Sequence, residues 1–556
     1  MRGYIFLFIL VTTDLLGQAP GWAWAKVAQP SNGQYAYSND MAVDKKGNVY
    51  IVGSFDGSSL HFINGYSPGI TLNSSSGGYM NMFLVKYDNS GQLIWAKSAG
   101  SNANAVYGNA ISIDTSSGNI YVTGKFDAYA PLIFAHDTLS CNCTGGNSAM
   151  FVAKYDSLGN ALWGRTGAVS NSLGYMEGND VSVDIKGNLY VIGSFGGSNI
   201  NFGGQVLTTA GNQEVFVLKY SPSGNVIRAI KATGSLQDGG DRITSDDDGN
   251  IYIGGWSNSG ALSFGTVNLN MAANQPNVFL AKYDSSGLAQ WAFSPGGGSM
   301  SRWTCLDTDP WGNLYASGNQ DATLNFINFA LPPTTSSQTN GFLVKISGSG
   351  NPLWGKSTGG SMWPSEMLKI SVDNQANIYS TGYFNGDSMT FNNITLYNNH
   401  PGMNNSNVFV IKQDSLANTL WAINAEGNYA DIGSAMAEYN GDVFVSGDMQ
   451  SNYINLGNIQ VLKGQGVQSV FIGKMDPSVG ISQIEIENCP IIFPNPASQQ
   501  VYINSERPIE QISICDQAGK LVLLTRKPAG LLDISSLDPG LYIVDVGGTH
   551  FKLVKE

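Results

Sequence analysis

Hydrophobic and polar positions alternate along most of this chain with a period of two, in short runs broken by Gly, Asn, Asp and Ser. The stretch 180–232 is representative, with "DVSVD", "NLYVIGSF", "VFVLKYS" and "NVIRAIKA" in succession. Alternation of this kind marks strands with one face buried. Four such runs, labelled a to d, make a unit, and the unit repeats. The a–b turn and strand "DKKGNVYIVGSF" (44–55) returns as "DTSSGNIYVTGKF", "DIKGNLYVIGSF", "DDDGNIYIGGW", "DPWGNLYASG", "DNQANIYSTGYF" and, degraded, "EYNGDVFVSGD". Its Asn or Asp falls at 48, 119, 188, 250, 313, 377 and 442, in steps of 62 to 71 residues. A second marker, "FLVKYD" (83–88), recurs around Phe83, Phe151, Phe216, Phe279, Phe342, Phe409 and Phe471, so each marker occurs seven times.

In D-x-x-G-N the Asp side chain closes an Asx turn, and Gly and Asn tolerate the left-handed conformation. A four-stranded antiparallel unit cannot cover both of its own faces. Units stacked radially cover one another, which predicts an all-β, seven-bladed β-propeller. The seventh unit has a, b and c but no d, while "WAWAKVA" near the amino terminus is a d-type strand with no unit before it. This strand is expected to pair with the last c strand and close the ring from both chain ends, leaving no unpaired edge. The propeller then spans 19–478, with a linker at 479–490. Over 491–556, about seven strand-like runs predict a small Ig-like β-sandwich. The d-strand tryptophans (Trp24, Trp95, Trp163, Trp291, Trp354, Trp421) are placed between blades; unit three has "VIRAI" instead. The c-strand lysines (Lys86, Lys154, Lys219, Lys282, Lys345, Lys412, Lys474) occur in every unit, so pairing with Asp or lying over a Trp face is expected of them rather than catalysis.

The D-x-x-G-N-x-Y-x-x-G and F-x-x-K-Y-D-x-x-G-x-x-x-W patterns resemble bacterial β-propeller repeats of the SBBP type over residues 22–478. The resemblance implies a secreted or surface protein and assigns no activity. The second pattern is not a sialidase Asp-box, because Asp88 stands three residues before Gly91 and Trp95 four after it. The tail resembles the type A C-terminal sorting domain of the type IX secretion system of Bacteroidota. The residues that carry this are Pro494, Asn495 and Pro496, the "DQAGK" turn with Gly519 and Lys520, "LDISSLDPGLY" with Gly540 and Tyr542, and "FKLVK" with Lys552. That resemblance implies export across the outer membrane, with the secretion machinery as partner.

Composition narrows the picture. Only 12% of the 556 residues are charged, 68 are Gly, and the net charge is −13 with no Lys/Arg cluster, which argues against nucleic acid as a partner. Residues 1–18 read as a secretory signal peptide, and no segment has the length of a transmembrane span. Four scattered histidines and the isolated "CNC" at Cys141 and Cys143 give no metal site, and no cofactor is implied. "DDDGN" (246–250) is an a–b turn rather than a calcium loop. Exported surroundings permit a disulfide such as Cys489–Cys515, as they do plain burial of these thiols.

Turns a–b and c–d are short and lie on one face; b–c and d–a connections are long and varied and lie on the other, where binding is expected. Each b–c connection carries an extra apolar pair that predicts a short hairpin. Before strand a stand Tyr37, Tyr107, Tyr175, Trp303, Trp363 and Tyr429, candidates for a sugar- or peptide-binding rim or for inter-blade packing. Glu177, Asp180, Asp238, Asp241, Glu366, Glu426 and Asp431 read as solvated loop carboxylates, with no catalytic residue singled out. The reading is a secreted or surface-displayed binding or adhesion scaffold, non-catalytic, with an extracellular glycan or protein as ligand. The alternative is a glycan-directed hydrolase or lyase using long-loop carboxylates. A scaffold implies dispersed polar residues; an enzyme implies polar residues peculiar to single blades that converge at the channel mouth.

Overall fold

A computed structural model describes residues 20–476 and 491–555, apart from 65–66, 75–78, 101–103, 142, 144–146, 172–173, 210–211, 273–274, 299–300, 334–338, 361–363, 403, 494–496, 505–510, 517–519, 527–530 and 547–548. Those residues are all-β, without a helix. The chain forms two compact units, Met1–Gly480 and Ile481–Glu556.

In the first, the four strands of each repeat form an antiparallel sheet in the order a, b, c, d. In unit one these are Ala36–Val43, Val49–Phe55, Asn81–Tyr87 and Leu93–Ala99. Among the described residues units one to four form separate four-stranded sheets, units five and six run together in one ten-stranded sheet, and unit seven lies in a six-stranded one; none closes on itself. The a–b turn chemistry is as expected. Asp44 Oδ1 accepts the Lys46 and Asn48 amides, while Oδ2 accepts Asn48 Nδ2 at 2.7 Å and the Tyr50 hydroxyl at 3.0 Å. The same Asp–Tyr bond recurs at Asp184–Tyr190, Asp246–Tyr252 and Asp309–Tyr315.

The closing Gly of the motif has a steric cause. Every strand a bulges in its middle, which presses its backbone toward strand b. A Cβ on Gly53, Gly124, Gly193, Gly255, Gly318, Gly382 or Gly447 would lie 1.8–2.4 Å from a strand-a carbonyl oxygen. Only Gly fits there.

Neighbouring sheets are joined by the d-strand tryptophans. Trp95 Nε1 and Lys86 Nζ both donate to the Ser157 carbonyl of the next unit, at 3.2 and 3.3 Å. Trp291 and Lys282 do the same to Gly348 at 3.2 Å. The rings sit on the glycine of the next c–d turn, as Trp95 does on Gly159; Arg228 takes that place on Gly287 where unit three lacks the tryptophan. The c-strand lysines do not lie over Trp faces, as the sequence suggested as one option. They lie over the b-strand aromatic rings at 4.6–5.9 Å, because the directly cross-strand neighbour in the sheet is the b-strand residue (Tyr50↔Lys86). Lys282, Lys345 and Lys474 also pair with Asp246, Asp309 and Asp442.

The amino-terminal strand Gly21–Pro30 pairs antiparallel with Ser469–Asp476, from Gly21↔Asp476 to Ala28↔Val470. Its far end, Ala28–Pro30, pairs with Leu60–Phe62 in the b–c hairpin of unit one. Each strand a packs on the next, and that of unit seven packs on that of unit one. Ser38, for instance, bonds to Ser434 on strand a of unit seven, and to Ser446 and Asp448 on its strand b. The b–c connections form the expected hairpins, such as Ile200–Phe202 with Gln205–Leu207. In unit two the insertion holds a Cys141–Cys143 disulfide. Cys515 is a free thiol, and Cys489 lies outside the described residues.

The second unit has two sheets, of three and four strands, around Val501, Ile512, Ile514, Leu532, Tyr542, Val544 and Leu553. The Tyr542 hydroxyl donates to the Asp538 carbonyl at 2.8 Å, and the Lys520 amide closes a turn on Asp516. Pro494, Asn495, Pro496 and Gly519 lie outside the described residues; Gly540 and Lys552 are on strands.

Gly193→Ala sets a methyl 1.9 Å from the Glu177 carbonyl. It is expected to cost at least ~2 kcal/mol in urea unfolding, the scale of overpacking; a cost below ~0.5 kcal/mol, typical of innocuous sites, would contradict the steric reading.

Candidate functional site: the funnel on the long-loop face

The strand-a bulge places one extra residue per unit on the inner side of the sheets: Asn39, Asn109, Asn179, Asp241, Thr304, Leu368 and Ser434. Three asparagines use their Nδ2 alike. Asn39 donates to the Gly108 carbonyl at 2.7 Å, Asn109 to Gly178 at 2.9 Å, and Asn179 to Gly240 at 2.7 Å. With Nδ2 committed, each leaves its Oδ1 as an acceptor. These three and Asp241 line a cavity of about 810 Å³ together with Arg242, Arg302, Tyr107 and Trp256. The lining residues come from the starts of a strands and the ends of b strands, which puts the opening on the long-loop face.

Below the funnel, residues that follow the bulge meet across it. Lys369 of unit six reaches Asp40 of unit one, Nζ to Oδ1 at 2.5 Å, with side chains 21% and 5% exposed. Unit seven, which packs between them, has only Ala435 at that position. Asp40 also accepts the Met41 and Ile111 amides, and Asp180 those of Val181 and Ile243. Burial disfavours charge on Lys369, but Asp40 above all, with Cys305 and Asp180, holds its amine above the ordinary value. Burial raises Asp180, against the pull of Lys369 and Arg242. Polar residues peculiar to single units therefore do converge, and the dispersal expected of a plain scaffold is not what the structure has.

The sequence suggested solvated loop carboxylates; six of the seven are instead tied to neighbours by hydrogen bonds, though Glu177, Glu366 and Glu426 stay partly exposed. Glu177 pairs with Lys125 at 2.9 Å and Ser148 at 3.0 Å; Asp180 accepts the two amides above; Asp238 accepts Ser257 and Ser259. Glu366 accepts Asn319, Glu426 accepts Asn399 and Asn424, and Asp431 accepts Ser451. Asp241, alone of the seven, has no hydrogen bond to its carboxylate among the described residues. Burial pushes it up to about 6, against Arg242 and Arg302.

Of the six rim aromatics, Tyr107 lines the funnel beneath the Lys125 amine, 5.6 Å from its ring centre. Tyr37 stacks on Tyr35 at 6.2 Å, and Tyr175 bonds to Gln213 at 3.3 Å. Tyr429, 47% exposed, lines a separate cavity of about 270 Å³. Trp363 lies outside the described residues. Trp303 is fully buried, edge-on to Phe342 at 5.3 Å, and presents no open ring face. The reason is register: Trp303 aligns with Ser38 and Gly108 at the bulge, so Arg302, not Trp303, occupies the place of Tyr37 and Tyr107. Arg302, Trp256 and the bulge asparagines escaped the sequence reading. Their signal was there: the residue after the b-strand glycine differs among units (Ser54, Lys125, Ser194, Trp256, Asn319, Tyr383, Asp448), as a position free of framework duty does.

Comparison with known proteins bears mainly on the tail. Residues 491–556 match the secretion system C-terminal sorting domain, and the chain is exported by type IX secretion to the cell surface or the extracellular space. An uncharacterized WD repeat-containing protein, L264, of Acanthamoeba polyphaga mimivirus is 24% identical over 421 residues, 64% of this chain and 30% of that protein. This chain thus spans under a third of that relative's length. Among solved structures, a polysaccharide lyase, an ulvan lyase bound to a GlcA(1-4)Rha3S saccharide, is 10% identical with TM-score 0.41, covering 80% of this chain and 97% of that one. BamB of Moraxella catarrhalis is 11% identical with TM-score 0.25, covering 65% and 96%. No helix of the described residues is long and apolar enough to cross a membrane.

Lys369→Met leaves buried Asp40 without its cation and is expected to cost about 3–5 kcal/mol. Adding Asp40→Asn should recover a substantial part of that loss in urea unfolding. Additive losses in the double variant would show that the pair does not act as a unit.

Proposed function

We propose that this chain is a seven-bladed β-propeller, closed by its amino-terminal strand, that binds a saccharide on its long-loop face without chemical turnover. Residues 1–18 act as its signal peptide, 19–478 as SBBP-type propeller, 479–490 as linker, and 491–556 as the domain that engages the secretion machinery. Cyclic packing of the a strands supports the ring. The carrying observation for function is the funnel, in which amide oxygens, one carboxylate, two guanidinium groups and a Trp ring face one cavity of about 810 Å³. Hydroxyl-rich ligands are held by such mixed donors and acceptors around an aromatic face.

The converging charges do not favour the hydrolase or lyase reading. Asp40 and Asp180 give their oxygens to backbone amides and, for Asp40, to Lys369. A two-carboxylate mechanism needs a pair open to the substrate, and among the described residues that line the funnel Asp241 is the one carboxylate.

On a glycan array with the full exported chain, a bound saccharide is expected. Trp256→Ala and Asp241→Ala should each weaken it about tenfold or more, the scale of one lost contact. Equal binding by both variants, or release of shortened saccharide products, would contradict the proposal. Deleting 491–556 should leave the protein in the periplasm; undiminished surface display would overturn the sorting assignment.

A further inference from the structure

The funnel is not uniform around its wall, and its asymmetry specifies a ligand more closely than its volume does. Units one, two and three contribute Asn39, Asn109 and Asn179, each with Nδ2 spent on the next unit's backbone and Oδ1 left to accept. Asp241 of unit four continues this arc with a carboxylate. One wall therefore consists of hydrogen-bond acceptors, suited to sugar hydroxyls.

The adjoining wall is cationic. Arg302, at the start of strand a in unit five, is exposed, and its guanidinium makes no hydrogen bond or ion pair among the described residues. Arg242 is held by the Thr304 carbonyl through Nε and by the Asp241 carbonyl through Nη1 at 3.1 Å, which fixes its plane and leaves Nη2 uncommitted. Five donors in a rigid fork match planar or tetrahedral oxyanions. In a chain of net charge −13 with no Lys/Arg cluster in its sequence, two arginines at one cavity, one of them unpaired, stand out from the rest of the surface.

We infer that the saccharide is acidic, with its carboxylate or sulfate ester against Arg302 and Arg242 and its hydroxyls along the Asn39–Asn109–Asn179 arc. This rests on the saccharide reading of the same funnel and adds the charge of the ligand and the residue that selects it.

The test is titration of the full exported chain, by calorimetry at about 20 mM and about 200 mM salt, with three tetrasaccharide probes: an oligogalacturonate, a sulfated galactan and neutral cellotetraose. At least one acidic probe should bind about tenfold or more tighter than the neutral one, a gap of about 1.4 kcal/mol, and should weaken as salt rises. The acidic probe that binds tells carboxylate from sulfate. Arg302→Gln should cost that probe about tenfold and remove most of its advantage over the neutral one, whereas Asn109→Ala should weaken both alike and leave that advantage in place. Equal binding of neutral and acidic probes, or Arg302→Gln without effect on the acidic one, overturns the inference while leaving a saccharide site standing. Failure of every probe on the folded chain overturns both readings together.

Discussion

One unpaired edge governs this architecture. A four-stranded sheet whose outer strand is missing exposes the hydrogen-bonding groups of strand c, and the seventh repeat, as read along the chain, ends in that condition. The structure supplies the missing strand from the other end of the sequence, across more than 440 residues, in the register Trp22↔Met475 to Ala28↔Val470. The same strand then runs on to pair with the unit-one hairpin through Ala28–Pro30. One ten-residue segment thus bonds to the last unit and the first, and the packing of their a strands, including Ser434 on Ser38, accords with holding them together. Trp22 and Val27 are buried in the same cluster as Val443 and Phe471, so apolar contact and backbone pairing act in the same place.

A second constraint, the strand-a bulge, converts a repetitive framework into a site that is not repetitive. The bulge is present in every unit and forces glycine on strand b, which is a framework cost shared by all. The extra residue it exposes is free to differ: amide in three units, then carboxylate, hydroxyl, leucine and hydroxyl. The residue after it differs too, and there Lys369 pairs with Asp40 beneath the funnel, with Asp180 close enough to feel both Lys369 and Arg242. Repetition builds the wall; departures from repetition give it chemistry.

This division explains what could be read in advance. The turns were legible because Asp44, Gly47, Asn48 and Tyr50 satisfy one local hydrogen-bonded motif whose partners lie within six residues. The role of the tryptophans was legible because a residue found at the same place in nearly every unit must serve what the units share. The site was not legible, because it depends on register. Alternation along "SRWTC" is compatible with either Arg302 or Trp303 facing the opening, and only the bulge decides for Arg302. Likewise no local pattern brings Lys369 to Asp40; unit seven packs against both unit six and unit one, and the pair forms across it. Lys86 and its counterparts lie over tyrosine, or in unit seven over Phe444, for a simpler reason, that the b strand beside them carries an aromatic ring opposite the lysine.

The most direct test of the amino-terminal strand as the missing edge is hydrogen–deuterium exchange at residues 470–475. In the full chain these amides should be among the slowest to exchange. A chain beginning at residue 31 should exchange them rapidly, and a synthetic peptide of residues 20–30 added in trans should restore their protection. Equal protection with and without residues 20–30 would mean that the last c strand never needed this partner, and the closed ring would fall with it.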